Sequence, residues 1–120
     1  MARILLIEDM PSSRALVGKL LAAEGHEVLL AERAEHGITV AQQTLPDLVL
    51  MDLGLPDMDG WQALTELRGQ ERTAALRVVA FTAHAMVGDR SQALEAGFDG
   101  YLSKPVDVAT FAQTVRQLLA

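Results

Sequence analysis

Short apolar segments alternate with segments of helical periodicity along the whole chain, and this alternation constrains the fold more than any other feature. Each apolar segment is a short run bounded by polar residues, as in Ile4–Ile7 and Leu48–Met51. A continuous apolar run is typical of a strand buried on both faces, as in a parallel sheet with helices on either side. Strict alternation favours the same architecture, because parallel strands are joined by crossover helices.

Five strands and five helices are predicted in this way. The predicted strands are Ile4–Ile7, Val28–Ala31, Leu48–Met51, Val78–Phe81 and Tyr101–Leu102. The predicted helices begin near Pro11 and end before Gly25, span Ala34 to Leu45, contain Trp61 to Leu67, lie around Asp89–Ala96, and carry Val108, Phe111, Val115 and Leu118. Because crossovers are right-handed, these units predict a doubly wound five-stranded parallel α/β sheet. Ligands of such sheets bind at the carboxyl ends of the strands.

Composition narrows the class of protein. The chain has 120 residues, which is one domain of ordinary size. It has no cysteine, so disulfides, thiolate metal sites and thiol catalysis are excluded. Sixteen acidic residues against ten basic ones give a net charge of −6, which disfavours a nucleic-acid surface. No apolar run approaches the length of a membrane span, so we expect a cytoplasmic protein that binds neither nucleic acid nor membrane.

Polar side chains of three kinds follow the predicted strands. Glu8 and Asp9 follow the first strand and Asp52 follows the third, while Thr82 and Lys104 follow the fourth and fifth. Three carboxylates at one sheet edge repel each other unless a cation is present, and Mg²⁺ prefers such oxygen ligands. A hydroxyl and an ammonium beside a metal suit the oxygens of a phosphoryl group. An aspartate carboxylate can itself be the nucleophile and form an acyl phosphate.

In this combination the sequence resembles the receiver domain of response regulators in two-component signalling. The resemblance rests on four features in order along the chain: Glu8-Asp9, Pro46–Asp52 followed by Leu55–Gly60, Thr82-Ala83, and Lys104-Pro105. It implies a flavodoxin-like strand order of 2-1-3-4-5 and one receiver domain over residues 1–120. The start at Met1 favours a free-standing regulator over a fragment of a larger chain.

The resemblance also implies a role for each site residue. Asp52 would accept the phosphoryl group from a sensor histidine kinase or a histidine phosphotransfer protein. Mg²⁺ would be held by Asp9, Asp52 and the backbone carbonyl of Gly54, with Glu8 acting through water. Lys104 and Thr82 would each contact a phosphoryl oxygen. The Lys104–Pro105 peptide would be cis, which an X–Pro bond permits at small cost.

The same resemblance predicts how the signal would leave the site. Tyr101 would change rotamer together with Thr82, and the face formed by the fourth helix and fifth strand, including Met86, would contact a downstream protein. Gly54 and His84 flank the path of the hydrolytic water, so they bear on the lifetime of the acyl phosphate. Self-catalysed phosphoryl transfer and autodephosphorylation are the only chemistry expected, so the protein is not predicted to be a turnover enzyme.

Two other functions stay open at this point. A phosphohydrolase of the haloacid-dehalogenase type also places an aspartate, Mg²⁺, a hydroxyl and a lysine on a parallel sheet. It characteristically carries its nucleophile in an Asp-x-Asp arrangement on the first strand, whereas the first strand here ends in Glu8-Asp9. A receiver that binds proteins without being phosphorylated is the other alternative. A nucleotide or flavin site is disfavoured, because neither of the glycine-rich phosphate-binding motifs, G-x-G-x-x-G and G-x-x-x-x-G-K-[ST], occurs in the sequence.

Overall fold

A computed structural model of the chain describes residues 2–83 and 89–120. The predictions for His84 and Met86 lie outside the described residues. The elements alternate strictly: β1 (Arg3–Ile7), α1 (Pro11–Ala23), β2 (Glu27–Ala31), α2 (Ala34–Thr44), β3 (Leu48–Met51), α3 (Gly60–Arg68), β4 (Val78–Thr82), α4 (Asp89–Ala96), β5 (Gly100–Ser103) and α5 (Phe111–Leu119).

The five strands form one parallel sheet in the order β2-β1-β3-β4-β5. The predicted fold class and strand order are therefore confirmed. The three central strands, β1, β3 and β4, are almost entirely buried, whereas the edge strands β2 and β5 are partly exposed. The order reverses between β1 and β3, which is where doubly wound sheets bind ligands.

Side-chain alternation along the strands divides the core into two layers. Leu5 and Ile7 of β1 pack on the side covered by α2, α3 and α4, while Ile4 and Leu6 pack on the side covered by α1 and α5. Because successive strand residues point to opposite faces, a strand that is apolar at every position supplies both layers. This explains why the strands carry unbroken apolar runs.

Glycine follows two of the helices where they end, and one predicted helix begins later than expected. Gly25 follows α1 with φ 85°, and Gly97 follows α4 with φ 113°, a region that glycine enters without strain. Val108 was predicted to lie on the last helix, but α5 begins at Phe111 and Val108 is exposed in the preceding turn. Helical spacing alone placed Val108 wrongly, because a turn can carry an apolar residue at the same interval.

Candidate functional site

The strand register brings the predicted carboxylates to one point. Ile7 of β1 pairs with Met51 of β3, so the next residues, Glu8 and Asp52, lie side by side. Sheet hydrogen bonds continue onto both residues. The Glu8 amide donates to the Ala31 carbonyl at 2.9 Å, and the Asp52 amide donates to the Ile7 carbonyl at 3.0 Å. The backbone at this edge is therefore fixed by the sheet.

Glu8, Asp9 and Asp52 form an acidic cluster, in which one oxygen from each lies within 4.8 Å of the others. Glu8 is completely buried and Asp52 is 7% exposed, while Asp9 is half-buried. A cluster of oxygen donors without nitrogen or sulfur ligands fits a hard divalent cation such as Mg²⁺. The close approach of three carboxylates also requires positive charge nearby, because like charges in a buried site repel strongly.

Lys104 provides positive charge in the described structure. Its ammonium donates to Oε1 of Glu8 and lies 3.2 Å from Oδ2 of Asp52. The same nitrogen lies 4.9 Å from the centre of the Phe81 ring, a distance at which a cation is attracted to the aromatic face. The Lys104–Pro105 peptide is cis, as expected. Lys104 therefore lies within reach of a group attached to Asp52.

Burial and charge shift the two buried carboxylates in opposite directions. Burial raises the pKa of Asp52, and the neighbouring Glu8 carboxylate raises it further, so the net pKa is above the usual range. Burial also raises the pKa of Glu8, but hydrogen bonds with Asp52, Lys104 and Ser13 bring that pKa below its ordinary value. Glu8 is thus the stabilised anion of the pair, and ionisation of Asp52 depends more on added positive charge.

Thr82 and Tyr101 lie where the sequence predicted them, on neighbouring strands. Thr82 is buried at the end of β4 and pairs with Ser103, and its carbonyl accepts from the Lys104 amide at 2.8 Å. Tyr101 on β5 is half-buried and packs on the layer that contains α4. Burial and the negative charge of Asp89, the first residue of α4, raise the pKa of Tyr101. Tyr101 therefore connects the sheet edge with α4.

Gly54 lies directly beside the carboxylate of Asp52. Its amide donates to Oδ1 of Asp52 at 3.0 Å, and a Cβ placed on Gly54 would lie 3.9 Å from the same oxygen. The loop then folds back at Gly60, whose amide donates to the Leu53 carbonyl at 2.9 Å. A Cβ at Gly60 would lie 2.8 Å from the Leu53 backbone, so this close return requires glycine. Gly54 therefore lies next to Asp52, and Asp52 lies with the other two predicted carboxylate ligands, Glu8 and Asp9.

Two polar contacts around the site were missed from the sequence. Arg14, on the first turn of α1, donates to the carbonyls of Glu8 at 2.9 Å and of Asp9 at 3.3 Å, and pairs with Glu32 at 3.1 Å. Asp57, in the loop that follows β3, accepts hydrogen bonds through its carboxylate from the Ala34 and Glu35 amides at the start of α2. A signal for Asp57 was present, since no residue able to cap a helix immediately precedes α2.

An apolar groove of about 360 Å³ opens beside the acidic cluster. Met10 and Leu16 of the α1 side, together with Lys104, Pro105 and Val106 after β5, line the groove. Met10 and Leu16 are exposed although they are apolar.

No helix within residues 2–83 and 89–120 has the length and apolar character needed to cross a membrane.

Comparison with known proteins places the chain among signalling domains. The family model for the response regulator receiver domain matches residues 4–116. Protein PilH of Pseudomonas aeruginosa is 37% identical over 120 residues, covering all of this chain and 99% of PilH. The sensor protein GacS of Pseudomonas syringae is 40% identical over 94% of this chain, which corresponds to 13% of GacS.

Solved structures agree with the sequence comparison. The receiver domain of sensor histidine kinase PA1611 from Pseudomonas aeruginosa has a TM-score of 0.88 and 33% identity, covering 98% of this chain and 97% of that domain. That structure has a magnesium ion coordinated in its active-site cleft. These matches favour the signalling interpretation over the phosphohydrolase and over a nucleotide-binding domain.

Proposed function

Because this chain belongs to the family of response regulator receiver domains, we propose that Asp52 accepts a phosphoryl group from a phosphohistidine of a partner protein. The partner is a sensor histidine kinase or a histidine phosphotransfer protein. The observation that carries the proposal is the position of the Asp52 carboxylate, which lies beside two further carboxylates and 3.2 Å from the Lys104 ammonium. This arrangement combines a nucleophile with charges that can hold a phosphoryl group.

The transfer follows from the chemistry of the side chains. A carboxylate oxygen of Asp52 attacks phosphorus, a P–O bond forms, and the P–N bond to the partner's imidazole breaks with its electron pair left on nitrogen. The Lys104 ammonium, which now contacts Glu8 and Asp52, donates to an oxygen of the transferred group. The Thr82 hydroxyl donates to another. Lys104 is already held at the sheet edge before the reaction, which reduces the cost of reorganisation.

The acidic cluster fits Mg²⁺ because it offers oxygen ligands only. Asp9, Asp52 and the Gly54 carbonyl would hold the ion directly, and Glu8 through water. Bound Mg²⁺ would neutralise the charge that develops on the phosphoryl oxygens during transfer. The residues of this site then also promote attack of water on the acyl phosphate, so that the domain removes its own phosphoryl group.

Partner proteins have two surfaces available near the site. Lys104 lines the apolar groove between α1 and the turn after β5, so a phosphodonor protein can bury apolar side chains there while its histidine approaches Asp52. A downstream protein binds the face of α4 and β5. The half-buried Tyr101 lies on strand β5, and Lys104 directly follows the end of that strand.

Labelling with a small acyl phosphate such as acetyl phosphate tests the proposal. The parent protein should gain one base-labile phosphoryl group when Mg²⁺ is present and almost none when Mg²⁺ is chelated, as measured by intact mass. Asp52→Asn should lose this label. Asp59→Asn is the matched control, because Asp59 lies on the same loop but only caps α3, and it should be labelled like the parent.

Undiminished labelling of Asp52→Asn would place the acceptor on another residue. Repeated turnover of a small phosphoester, with product far exceeding the protein concentration, would instead favour the phosphohydrolase.

A further inference from the structure

The start of α2 has no capping side chain of its own. Arg33 occupies the N-cap position with an extended backbone, and its side chain accepts no hydrogen bond from the helix. The first amides of any helix lack intrahelical partners and need an acceptor from elsewhere. Ala34, the first residue of α2, is completely buried, so its backbone is removed from bulk solvent.

Asp57 supplies the acceptors from a different part of the chain. Its Oδ1 accepts from the Ala34 amide at 2.9 Å, and its Oδ2 accepts from the Glu35 amide at 3.0 Å. Each carboxylate oxygen thus satisfies one amide. Asp57 is exposed, and although what burial it has raises its pKa, the hydrogen bonds from the Glu35 and Ala34 amides bring the net pKa below the ordinary value. The loop of residues 52–59, here called the β3–α3 loop, is therefore attached to α2.

The position of α2 relative to β1 is itself tightly defined. A Cβ added at Gly37 of α2 would lie 2.4 Å from Cδ1 of Ile7, so the helix backbone lies directly against the last residue of β1. Ile7 immediately precedes Glu8 and Asp9. In the same layer, Leu55 of the β3–α3 loop is buried in the core with Ala34. The contact made by Asp57 thus connects the loop, through α2, with the end of β1.

We propose that Asp57 is a positioning residue for the metal site. Its carboxylate holds the β3–α3 loop against α2 and thereby fixes Gly54 relative to Asp9. This inference rests on the proposed function, in which Gly54 and Asp9 bind the same ion. The two ligands lie on different segments, and the hydrogen bonds of Asp57 form one of the connections between those segments. Groups that orient metal ligands without touching the metal typically change metal affinity by about tenfold or more when they are removed.

A matched control is available two residues away. Asp59 belongs to the same loop and also caps a helix, but it accepts from the Gln62 amide of α3, the helix that directly follows the loop. Each variant loses one helix cap, so the two should lose comparable stability. A difference in Mg²⁺ affinity between the two variants therefore reports on the connection to α2 rather than on stability.

The experiment compares the parent, Asp57→Ala and Asp59→Ala by calorimetric titration with Mg²⁺ under conditions where all three are folded. Asp57→Ala should weaken Mg²⁺ binding by about tenfold, whereas Asp59→Ala should stay within about twofold of the parent. Amide hydrogen exchange provides a second measurement. Mg²⁺ should slow exchange of the Ala34 and Glu35 amides in the parent, because coupling between two sites is reciprocal. Asp57→Ala should abolish that Mg²⁺-dependent protection.

The proposal is overturned if Asp57→Ala binds Mg²⁺ as the parent does, or if both variants lose affinity equally. It is also overturned if Mg²⁺ leaves exchange of the Ala34 and Glu35 amides unchanged in the parent. The two proposals are tested separately. Labelling of Asp52→Asn tests whether Asp52 is the phosphoacceptor, whereas calorimetry with Mg²⁺ tests the role of Asp57 and needs no phosphodonor.

Discussion

Buried charge dominates the site at the scale of single residues. Glu8 is fully buried with an ammonium beside it, which is the condition under which a buried carboxylate stays ionised at acceptable cost. Asp52 shares the same ammonium at a longer distance and also faces the Glu8 charge. The two buried carboxylates are therefore distinguished by their surroundings, although their side chains differ by only one methylene.

Neutralising Asp52 should stabilise the metal-free domain. The pKa of Asp52 is raised in the folded state, so the stability contributed by its protonated form is complete below the unfolded pKa and is lost as pH rises through the folded pKa. Asn at this position cannot ionise. In urea unfolding with a chelator at neutral pH, Asp52→Asn should be more stable than the parent by about 1 kcal/mol, or roughly 4 °C in Tm.

Mg²⁺ should reverse this order, because the parent gains more from a bound cation than the variant does. As pH falls below the ordinary aspartate value of about 4, the metal-free difference should disappear. Asp59→Asn is the control and should show neither effect, since Asp59 is exposed and away from Lys104. A metal-free Asp52→Asn that is less stable than the parent at neutral pH would contradict the proposed charge repulsion.

At the scale of elements, close approach of helix to strand decides what each position tolerates. Gly18 of α1 and Gly37 of α2 are both helical, yet a Cβ at Gly18 would meet no atom within 4 Å, whereas at Gly37 it would lie 2.4 Å from Ile7. Alanine is the better helix former at both positions by about 1 kcal/mol. The same substitution of glycine by alanine should therefore change the free energy of unfolding in opposite directions at the two positions.

Gly18→Ala should raise the free energy of unfolding by about 0.5–1 kcal/mol, and Gly37→Ala should lower it by about 1–3 kcal/mol because α2 must move away from β1. Chemical denaturation of both variants beside the parent measures the difference. Equal stabilisation by the two substitutions would show that Ile7 can move aside freely, and the packing of α2 on β1 would then not define the end of that strand.

At the scale of the whole molecule, the proposed function requires the sheet edge at Asp52 to influence the face of α4 and β5. Thr82 at the end of β4 and Tyr101 on β5 lie on adjacent strands, and Tyr101 is close enough to α4 for Asp89 to affect it. Phosphorylation of Asp52 would add negative charge and three hydrogen-bond acceptors at this edge. A conformational response requires an element whose two arrangements differ in their contact with the new group, and Thr82 with Tyr101 is the proposed element.

The chain contains a single tyrosine, which makes this switch directly observable. With 3-fluorotyrosine incorporated, the ¹⁹F resonance of Tyr101 should shift when Asp52 is phosphorylated. Thr82→Ala should leave labelling largely intact but remove at least about half of that shift, since it deletes the hydroxyl that would follow the phosphoryl group. Thr65→Ala, on α3, is the control and should respond like the parent. A full shift in Thr82→Ala would exclude Thr82 from the switch.

Local sequence pattern was enough to predict the fold class and the meeting of the site residues at one sheet edge. Apolar runs identify the buried strands, and parallel strands carry whatever follows them to one edge, so Glu8, Asp9, Asp52 and Lys104 had to converge. The strand order came from the family resemblance, because alternation restricts the topology without choosing the sequence of neighbours. The roles of these residues in phosphoryl transfer stay predictions that the labelling and metal-binding experiments test.

Only the tertiary structure decided which groups satisfy one another across the chain. Asp57 caps a helix that begins 23 residues earlier, Arg14 binds the carbonyls of Glu8 and Asp9, and Lys104 divides its ammonium between two carboxylates. Periodicity reports which face of a helix or strand is apolar, and that is a local property of the sequence. A hydrogen bond between distant segments forms only if donor and acceptor are placed to within a few tenths of an ångström. That placement is set when α2 packs on β1 and the β3–α3 loop closes beside them.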